Sequence, residues 1–153
     1  MNIHASAVQL GKVGFLIEGA SGSGKTALAL AAITAMRGTG IFAGLVADDQ
    51  CLVEALSNRL IASCPLPLVN LVEMRGLGIV TIADSKYATF SPIIIDAVIR
   101  LKDSAEIERM PDAGVTEIAG IKLPVFELPA RQIITNLPII MHIIEILALK
   151  TVA

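Results

Sequence analysis

The segment from Gly19 to Thr26 carries the strongest chemical signal in the chain. It reads GASGSGKT and fits the pattern G-x-x-x-x-G-K-[ST], whose glycines let backbone N–H groups turn inward around phosphate oxygens. In this pattern the lysine brings positive charge to the outer phosphates, and the final hydroxyl ligates Mg²⁺. The pattern therefore predicts a nucleotide-phosphate loop made of Gly19, Ala20, Ser21, Gly22, Ser23, Gly24, Lys25 and Thr26.

Two adjacent carboxylates form a second candidate group. Asp48 and Asp49 follow the apolar run IFAGLVA, twenty-two and twenty-three residues after Thr26. Such a run is typical of a buried strand, and a carboxylate at its end can lie beside the Mg²⁺ of a bound nucleotide. Because side chains alternate along a strand, only one of the two is expected to face the phosphates.

The stretch EMRGLGIV places Glu73 and Arg75 just ahead of a turn that contains Gly76 and Gly78. Taken alone, it is typical of a strand-to-strand turn with two exposed charges. His4, taken alone, is typical of a surface residue. Residue types by themselves leave both alternatives open.

The elements around the glycine loop predict a strand, a loop and a helix in succession. Ser6 to Leu10 and Val13 to Glu18 have the pattern of two strands, and the second runs directly into the loop. The run TALALAAITAM consists mostly of good helix formers and stops before Gly38. Ile41 to Ala47 is predicted to form the next buried strand.

The rest of the chain predicts more strand than a simple doubly wound fold carries. Short strand-like pieces read CLVEAL, RLIASC, LVNLVEM and GIVTIA, and the isoleucines of Pro92 to Leu101 favour another strand. Ile118 to Leu128 looks extended, and its Pro124 argues for an edge strand or a bulge. The last element, Ile133 to Thr151, has helical spacing with Pro138 near its first turn.

Length and composition limit the class of protein. The chain has 153 residues, which predicts one domain spanning residues 1–153. It is 54% hydrophobic and 17% charged, so part of its apolar surface is expected to be covered by another subunit. With 3% aromatic residues and a net charge of −2, nucleic acid is not an expected partner. Cys51 and Cys64 lack metal-type spacing and are interpreted as ordinary thiols of a cytoplasmic protein.

One segment also fits a membrane reading. Ile133 to Leu149 contains no Lys or Arg, but it is short for a span and includes Asn136, Pro138, His142 and Glu145, which are costly in lipid. A buried or subunit-contacting helix is the better interpretation. The N-terminal residues MNIHASAVQLGK lack the features of a secretory signal, so no membrane association is expected.

Taken together, these pieces resemble the catalytic domain of HPr kinase/phosphorylase, the serine kinase of the phosphocarrier HPr in the bacterial phosphotransferase system. The order along the chain is a histidine, two strands, the glycine loop, LVADD, EMRGLGIV, IERMP, LPVFELPAR and IIEILAL. RGLG is the most family-specific of these pieces. The resemblance extends from His4 to about Leu149 and implies a short form without the N-terminal domain that many members carry.

The resemblance implies an α/β fold with a P-loop core and mixed, strand-rich sheets like those of phosphoenolpyruvate carboxykinase. It implies ATP and Mg²⁺ as cofactors, HPr or an HPr-like carrier as partner, and a hexameric homo-oligomer. By this resemblance Asp49 is the base, Lys25 neutralises the transferred phosphoryl group, and Thr26 and Glu73 bind the metal; Asp48 is predicted as a further metal ligand. His4, Arg75 and Arg109 match the remaining active-site positions.

Three departures from the family pattern motivate an alternative. Ala27 stands where the family usually has Glu, and Gln50 where it usually has Arg. The segment Leu128-Pro-Ala-Arg-Gln132 lacks the Gly-Arg-Asn associated with phosphorolysis, although Arg131 offers one basic position. The alternative is a regulatory module that senses nucleotide without transferring phosphate. A small-molecule kinase is less favoured, because no separate lid with arginines is visible.

Overall fold

The computed structural model describes residues 1–82, 87 and 91–152. The elements in chain order are β1 (Asn2–Ile3), β2 (Ala5–Leu10), β3 (Val13–Gly19), α1 (Lys25–Gly38), β4 (Ala43–Ala47), β5 (Cys51–Leu56), β6 (Arg59–Ser63), β7 (Leu71–Met74), β8 (Gly78–Thr81), β9 (Ile93–Ile95), β10 (Ala97–Lys102), β11 (Gly114–Ile118), β12 (Ile121–Pro129) and α2 (Ile133–Val152). Short 3₁₀ turns lie at Leu66–Leu68 and Ser104–Glu106.

A six-stranded mixed sheet forms the centre, in the order β11-β12-β10-β3-β2-β4. Strand β10 is parallel to both β3 and β12, whereas β2 is antiparallel to both β3 and β4. A four-stranded sheet has the order β1-β5-β6-β9, and β7 pairs with β8 in a separate hairpin. The predicted strand-rich α/β architecture with a P-loop core is confirmed.

Alternation along the central strands builds two apolar cores, one on each face of the six-stranded sheet. In β3, Phe15 and Ile17 pack in the core that α1 and α2 cover, while Leu16 packs against residues of the four-stranded sheet such as Leu60 and Ile95. This is the side-chain period of a strand buried on both faces. Helix α1 contributes Leu28, Ala29, Ala32 and Ile33 to the first core.

Very short connections carry the chain between the two larger sheets. In the described ranges these connections are His4 between β1 and β2, residues 48–50 between β4 and β5, and Asp96 between β9 and β10. The first two include three of the predicted site residues.

Several sequence-based boundaries hold, and others do not, among them the extended segment predicted from Ile118 to Leu128, because Ile118 ends β11 and β12 begins only at Ile121. Strands β2 and β3 and both helices lie within two residues of their predicted ranges. The edge position predicted for Pro124 is wrong, because β12 lies between β11 and β10. The ladder between β12 and β10 begins with Val125 paired to Val98, one residue later, so the missing N–H of Pro124 falls just outside that ladder.

A further difference concerns Pro92 to Leu101, which was predicted as one element. It forms two strands, β9 and β10, that belong to different sheets and are separated only by Asp96. The carboxylate of Asp96 accepts a hydrogen bond from the Gly14 N–H at 2.9 Å, and its own N–H donates to the Gly14 carbonyl at 2.8 Å. The isoleucine run does not predict that the chain passes from one sheet to another at this point.

Candidate active site

The glycine loop lies between the end of β3 and the start of α1, as the motif predicts. Gly22 and Gly24 have φ angles of 78° and 93°, a region that glycine enters without the penalty of a side chain. The Ser23 N–H donates to the Ala20 carbonyl at 3.0 Å, and the Leu28 N–H to the Gly24 carbonyl at 2.9 Å. The loop thus turns tightly and passes directly into the helix.

The interior of the loop fits a phosphate group. The Ser23 hydroxyl is buried and has no hydrogen-bond partner among the described residues. Lys25 is only 5% exposed, and its ammonium donates to the carbonyls of Gly19 at 3.0 Å and Ala20 at 3.3 Å. An unpaired buried hydroxyl and a buried ammonium at a helix N-terminus are the groups that an anion satisfies.

A chain of polar contacts links Lys25, His4 and Asp49. The lysine Nζ lies 3.1 Å from His4 Nε2, and His4 Nδ1 lies 3.2 Å from Asp49 Oδ1. Because an ammonium has only donors, Nε2 must accept, and the ring proton is assigned to Nδ1, from which it is donated to Asp49. Asp49 is 60% exposed and His4 49%, so both are open to an incoming partner.

Asp48 joins three separate segments through its carboxylate. Its Oδ1 accepts from Thr26 Oγ1 at 2.6 Å and from Ser6 Oγ at 3.2 Å, and its Oδ2 accepts from the Glu73 N–H at 3.3 Å. Helix α1, strand β2 and the β7–β8 hairpin therefore meet at this side chain.

The predicted metal ligands are only partly brought together. Thr26 and Asp48 are in contact, and Glu73 touches Asp48 through its main chain while its side chain is exposed. Within residues 1–82, 87 and 91–152, no three His, Cys, Asp or Glu side chains cluster as a ready metal site. The oxygen donors suit Mg²⁺, which usually takes few protein ligands and completes its shell with phosphate oxygens and water.

Two of the arginines lie against the glycine loop. Arg75 Nη2 is 3.4 Å from the position that a Cβ on Gly22 would occupy. The Arg131 N–H donates to the Ser23 carbonyl at 3.0 Å, and its Nη1 donates to the Gly22 carbonyl at 3.3 Å. Arg131 Nη2 also lies 3.6 Å from Asp103, so this side chain bridges the loop and the end of β10.

Arg109 is not brought to the loop by any described contact. It is exposed in the segment between the second 3₁₀ turn and β11, and no hydrogen bond or ion pair joins it to another described residue. Its assignment to the site stays a prediction.

Both cysteines are free thiols, in agreement with the sequence interpretation. Burial, together with the charge of Cys64, raises the pKa of Cys51 to about 12. Burial also raises the pKa of Cys64, with a contribution from the nearby Asp48 carboxylate. A thiol with a raised pKa is a poor nucleophile, so neither residue is suited to covalent catalysis.

Sequence reasoning missed the contacts of Ser6 and the contacts of Arg131 with the glycine loop. Ser6 is fully buried and bonds to the carboxylate of Asp48. The available signal was a serine inside the apolar strand ASAVQL, a residue type that needs a hydrogen-bond partner when it is buried. For Arg131 no local pattern pointed to a contact over more than one hundred residues with Gly22.

Comparison with known proteins places this site in a family. The family model of the HPr serine kinase C-terminal domain matches residues 1–152. The HPr kinase/phosphorylase of Leptospira biflexa is 34% identical over 148 residues, which cover 91% of this chain and 44% of that relative. The corresponding protein of Variovorax paradoxus is 34% identical over 144 residues, which cover 87% of this chain and 40% of the relative.

A solved structure agrees with the sequence comparisons. The HPr(Ser) kinase/phosphatase from Coxiella burnetii superposes with a TM-score of 0.83 at 25% identity, covering 100% of this chain and 99% of that one. The chain thus spans less than half the length of the two curated relatives but nearly all of the solved structure. Because a family model matches almost every residue and the P-loop, LVADD and EMRGLG segments meet in one site, the chain belongs to the HPr serine kinase C-terminal domain family.

Proposed function

We propose that this chain is a protein serine kinase that transfers the γ-phosphoryl group of ATP to a serine of HPr or of an HPr-like phosphocarrier. The observation that carries the proposal is the contact chain from Lys25 through His4 to Asp49. It sets an exposed carboxylate beside the ammonium that binds phosphate. Lys25 Nζ is 3.8 Å from Asp49 Oδ1, so the proposed phosphate-binding group and the proposed base are adjacent.

Asp49 is the proposed general base. As the serine Oγ attacks the γ-phosphorus, Asp49 takes the hydroxyl proton, the bond from the γ-phosphorus to the bridging oxygen breaks, and ADP leaves. A positioned carboxylate contributes about 10²–10⁴-fold to such a step. His4 donates its Nδ1 proton to Asp49 Oδ1, which fixes the carboxylate in place.

Lys25 and the loop amides are proposed to hold the phosphates, with Ser23 supplying the hydroxyl that lacks a partner in the described structure. Thr26 and Asp48 are proposed to hold Mg²⁺, with Glu73 at the edge of the same site. The metal supplies charge neutralisation on the phosphate oxygens. Arg75 and Arg131 add positive charge beside Gly22.

The proposed protein substrate is inferred from the exposed side of the site, which consists of Asp49 and His4. Asp49 and His4 open to solvent, so a serine on the surface of a folded protein can reach the base without unfolding. Both curated relatives are named HPr kinase/phosphorylase, which makes HPr the first acceptor to test. A homo-oligomer and a cytoplasmic location belong to the same proposal.

The test combines the protein with labelled ATP, Mg²⁺ and purified HPr, and follows label in the carrier. Wild type is expected to label one serine. Asp49→Asn keeps the side-chain shape and tolerates the left-handed backbone at this position, where φ is 65°, but it cannot take a proton. We expect kcat to fall at least 100-fold with little change in nucleotide affinity.

A second variant separates transfer from binding. Lys25→Ala is expected to abolish nucleotide binding measured by calorimetry, whereas Asp49→Asn preserves it. Tight nucleotide binding without labelling of any carrier by wild type would favour the regulatory module, a reading motivated by Ala27 and by the absent Gly-Arg-Asn segment. Adding inorganic phosphate to the phosphorylated carrier, and measuring pyrophosphate, tests phosphorolysis in the same assay.

A further inference from the structure

Ser6 lies at the back of the proposed site, in the second position of β2. It is fully buried, and its hydroxyl makes two contacts. The Oγ donates to Asp48 Oδ1 at 3.2 Å, and it accepts from the Asp49 N–H at 3.4 Å. One hydroxyl thus holds the side chain of the first aspartate and the main chain of the second.

We propose that Ser6 is a positioning residue that sets the orientation of both aspartates through these two hydrogen bonds. The proposal rests on the proposed kinase function for its effect on rate, while its structural part stands independently. Ser6 does not reach the reacting atoms. It acts through Asp48, which contacts Thr26, and through the main chain of Asp49.

The strand geometry explains why a side chain is needed at this point. Strand β2 pairs with β4 up to Ala7 opposite Ala47, and the register shifts between Ala7 and Val8. Among the described residues the ladder between β2 and β4 ends at Ala47, where the chain leaves the six-stranded sheet. The Ser6 hydroxyl supplies the partner that main-chain pairing no longer gives to the Asp49 N–H.

The backbone conformation of Asp49 makes the hydrogen bond from its N–H to Ser6 important. Its φ of 65° is uncommon for a residue other than glycine, and such a conformation persists only where its surroundings hold it. The adjacent Gln50 N–H donates to the Asp48 carbonyl at 2.7 Å, which closes the same turn. Loss of the Ser6 hydroxyl removes a restraint at the residue that carries the proposed base.

Asp48 depends on Ser6 in a different way. Its Oδ1 accepts from both Thr26 and Ser6, so the oxygen is aimed between α1 and β2. Without Ser6 the carboxylate keeps its contacts with Thr26 and the Glu73 N–H but loses one of the three hydrogen bonds that limit its rotation. The proposed metal site then has one ligand with greater freedom.

The test uses three variants of the full chain. Ser6→Ala removes a single oxygen from a buried position, Ser6→Thr restores the hydroxyl, and Ser63→Ala removes the hydroxyl of a partly buried serine in β6 as a control. Thermal unfolding checks that each variant is folded. Hydrogen exchange of the Asp49 amide, followed by NMR without ligand, reports the main-chain contact directly.

In Ser6→Ala we expect the Asp49 amide to exchange about tenfold faster than in wild type, and kcat to fall about tenfold, as expected for a lost bond to a charged group. KM for ATP should stay within about twofold, because the glycine loop is untouched. Ser6→Thr should recover most of both losses, and Ser63→Ala should match wild type.

An unchanged amide exchange rate in Ser6→Ala would overturn the proposal, as would an unchanged kcat in an active enzyme. If wild type transfers no phosphate, the proposed function fails, and the amide exchange of Ser6→Ala against Ser6→Thr still decides the positioning role. A KM increase with unchanged kcat would also overturn it, since that result places the effect in nucleotide binding.

Discussion

His4 holds two oppositely charged groups at a fixed separation. With its ring proton assigned to Nδ1, it accepts from the Lys25 ammonium on one ring nitrogen and donates to Asp49 on the other, so the ring links the two groups. Direct contact between Lys25 and Asp49 is correspondingly loose, at 3.8 Å. The carboxylate of Asp49 is thus oriented by His4 and only loosely paired with Lys25.

Asp96 offers a titration that is independent of catalysis. Burial raises the pKa of its carboxyl, and the Gly14 N–H and the charge of Arg59 oppose that effect. The folded protein therefore holds this proton more tightly than the unfolded chain does. The free energy of unfolding is expected to decrease as pH rises from the unfolded pKa, near 3.9, through the folded pKa.

Asp96→Asn removes this titration and keeps an oxygen that can accept from Gly14. We expect the variant to gain stability relative to wild type as pH rises through that window, by about 1.4 kcal/mol for each pH unit between the two pKa values. Urea midpoints measured between pH 3.5 and 7 check the difference. A relative loss of stability in Asp96→Asn on raising the pH would mean that attraction to the charge of Arg59 outweighs the effect of burial.

At the scale of elements, β3 and β9 approach each other closely where the two sheets connect. A Cβ added to Gly14 would overlap the carbonyl oxygen of Ile94, and that oxygen belongs to the backbone, which cannot rotate away. Gly14→Ala is expected to destabilise the protein by at least about 3 kcal/mol, because a strand must move.

Gly38→Ala is the matched control. Gly38 ends α1, and a Cβ there meets no described atom within 4 Å. This substitution should leave stability unchanged or raise it slightly, since alanine restricts the unfolded chain. Chemical unfolding of both variants measures the contrast, and an equal effect of the two substitutions would contradict the packing argument.

The predictable elements are those whose signals are local. The glycine loop fixes the end of β3 and the start of α1, and alternating apolar residues define β2 and β3. The edge position predicted for Pro124 is wrong because a proline can lie inside a sheet where its missing N–H falls outside the ladder. Where the ladder to β10 begins depends on the pairing of two strands, which the local sequence does not show. The split at Asp96 was missed for the same reason, since both halves of PIIIDAVIRL are good strand sequences.

The site residues likewise divide into those with local sequence signals and those placed by long-range contacts. Asp48, Asp49 and the loop could be predicted from spacing, because they flank one strand–loop–helix unit and the strand after it. Ser6 and Arg131 could not, because their contacts cross 42 and 109 positions of the chain. The roles of His4 and the EMRGLG turn came from resemblance, and the described contacts place His4 against Asp49 and Arg75 against Gly22.

At the scale of the whole molecule, α2 leaves apolar side chains uncovered. Ile134 is 86% exposed and Leu149 is 74% exposed, although Ile140 and Ile143 on the same helix are buried in the first core. By length and composition, Ile133–Lys150 could also cross a membrane, a property that some helices of soluble proteins share. The interpretation as a subunit-contacting helix leads to a direct prediction.

The double variant Ile134→Glu with Leu149→Glu is expected to convert the proposed homo-oligomer to a monomer. Each glutamate would place a charge in an apolar contact, and burying an unpaired charge is costly. Size-exclusion chromatography with light scattering measures the mass. Ala35→Glu, on the exposed side of α1, controls for added negative charge; an oligomer that survives the double variant would exclude this face as the interface.

The connections between the two larger sheets have a further consequence. His4 and Asp49 lie where the chain leaves one layer for the other, whereas the glycine loop belongs to the six-stranded layer alone. The positions of His4 and Asp49, on the proposed acceptor side of the site, therefore depend on the spacing between the layers. The position of the glycine loop, on the proposed donor side, does not. If the chain is the proposed kinase, substitutions that shrink the core between the layers are expected to lower kcat before they change nucleotide affinity.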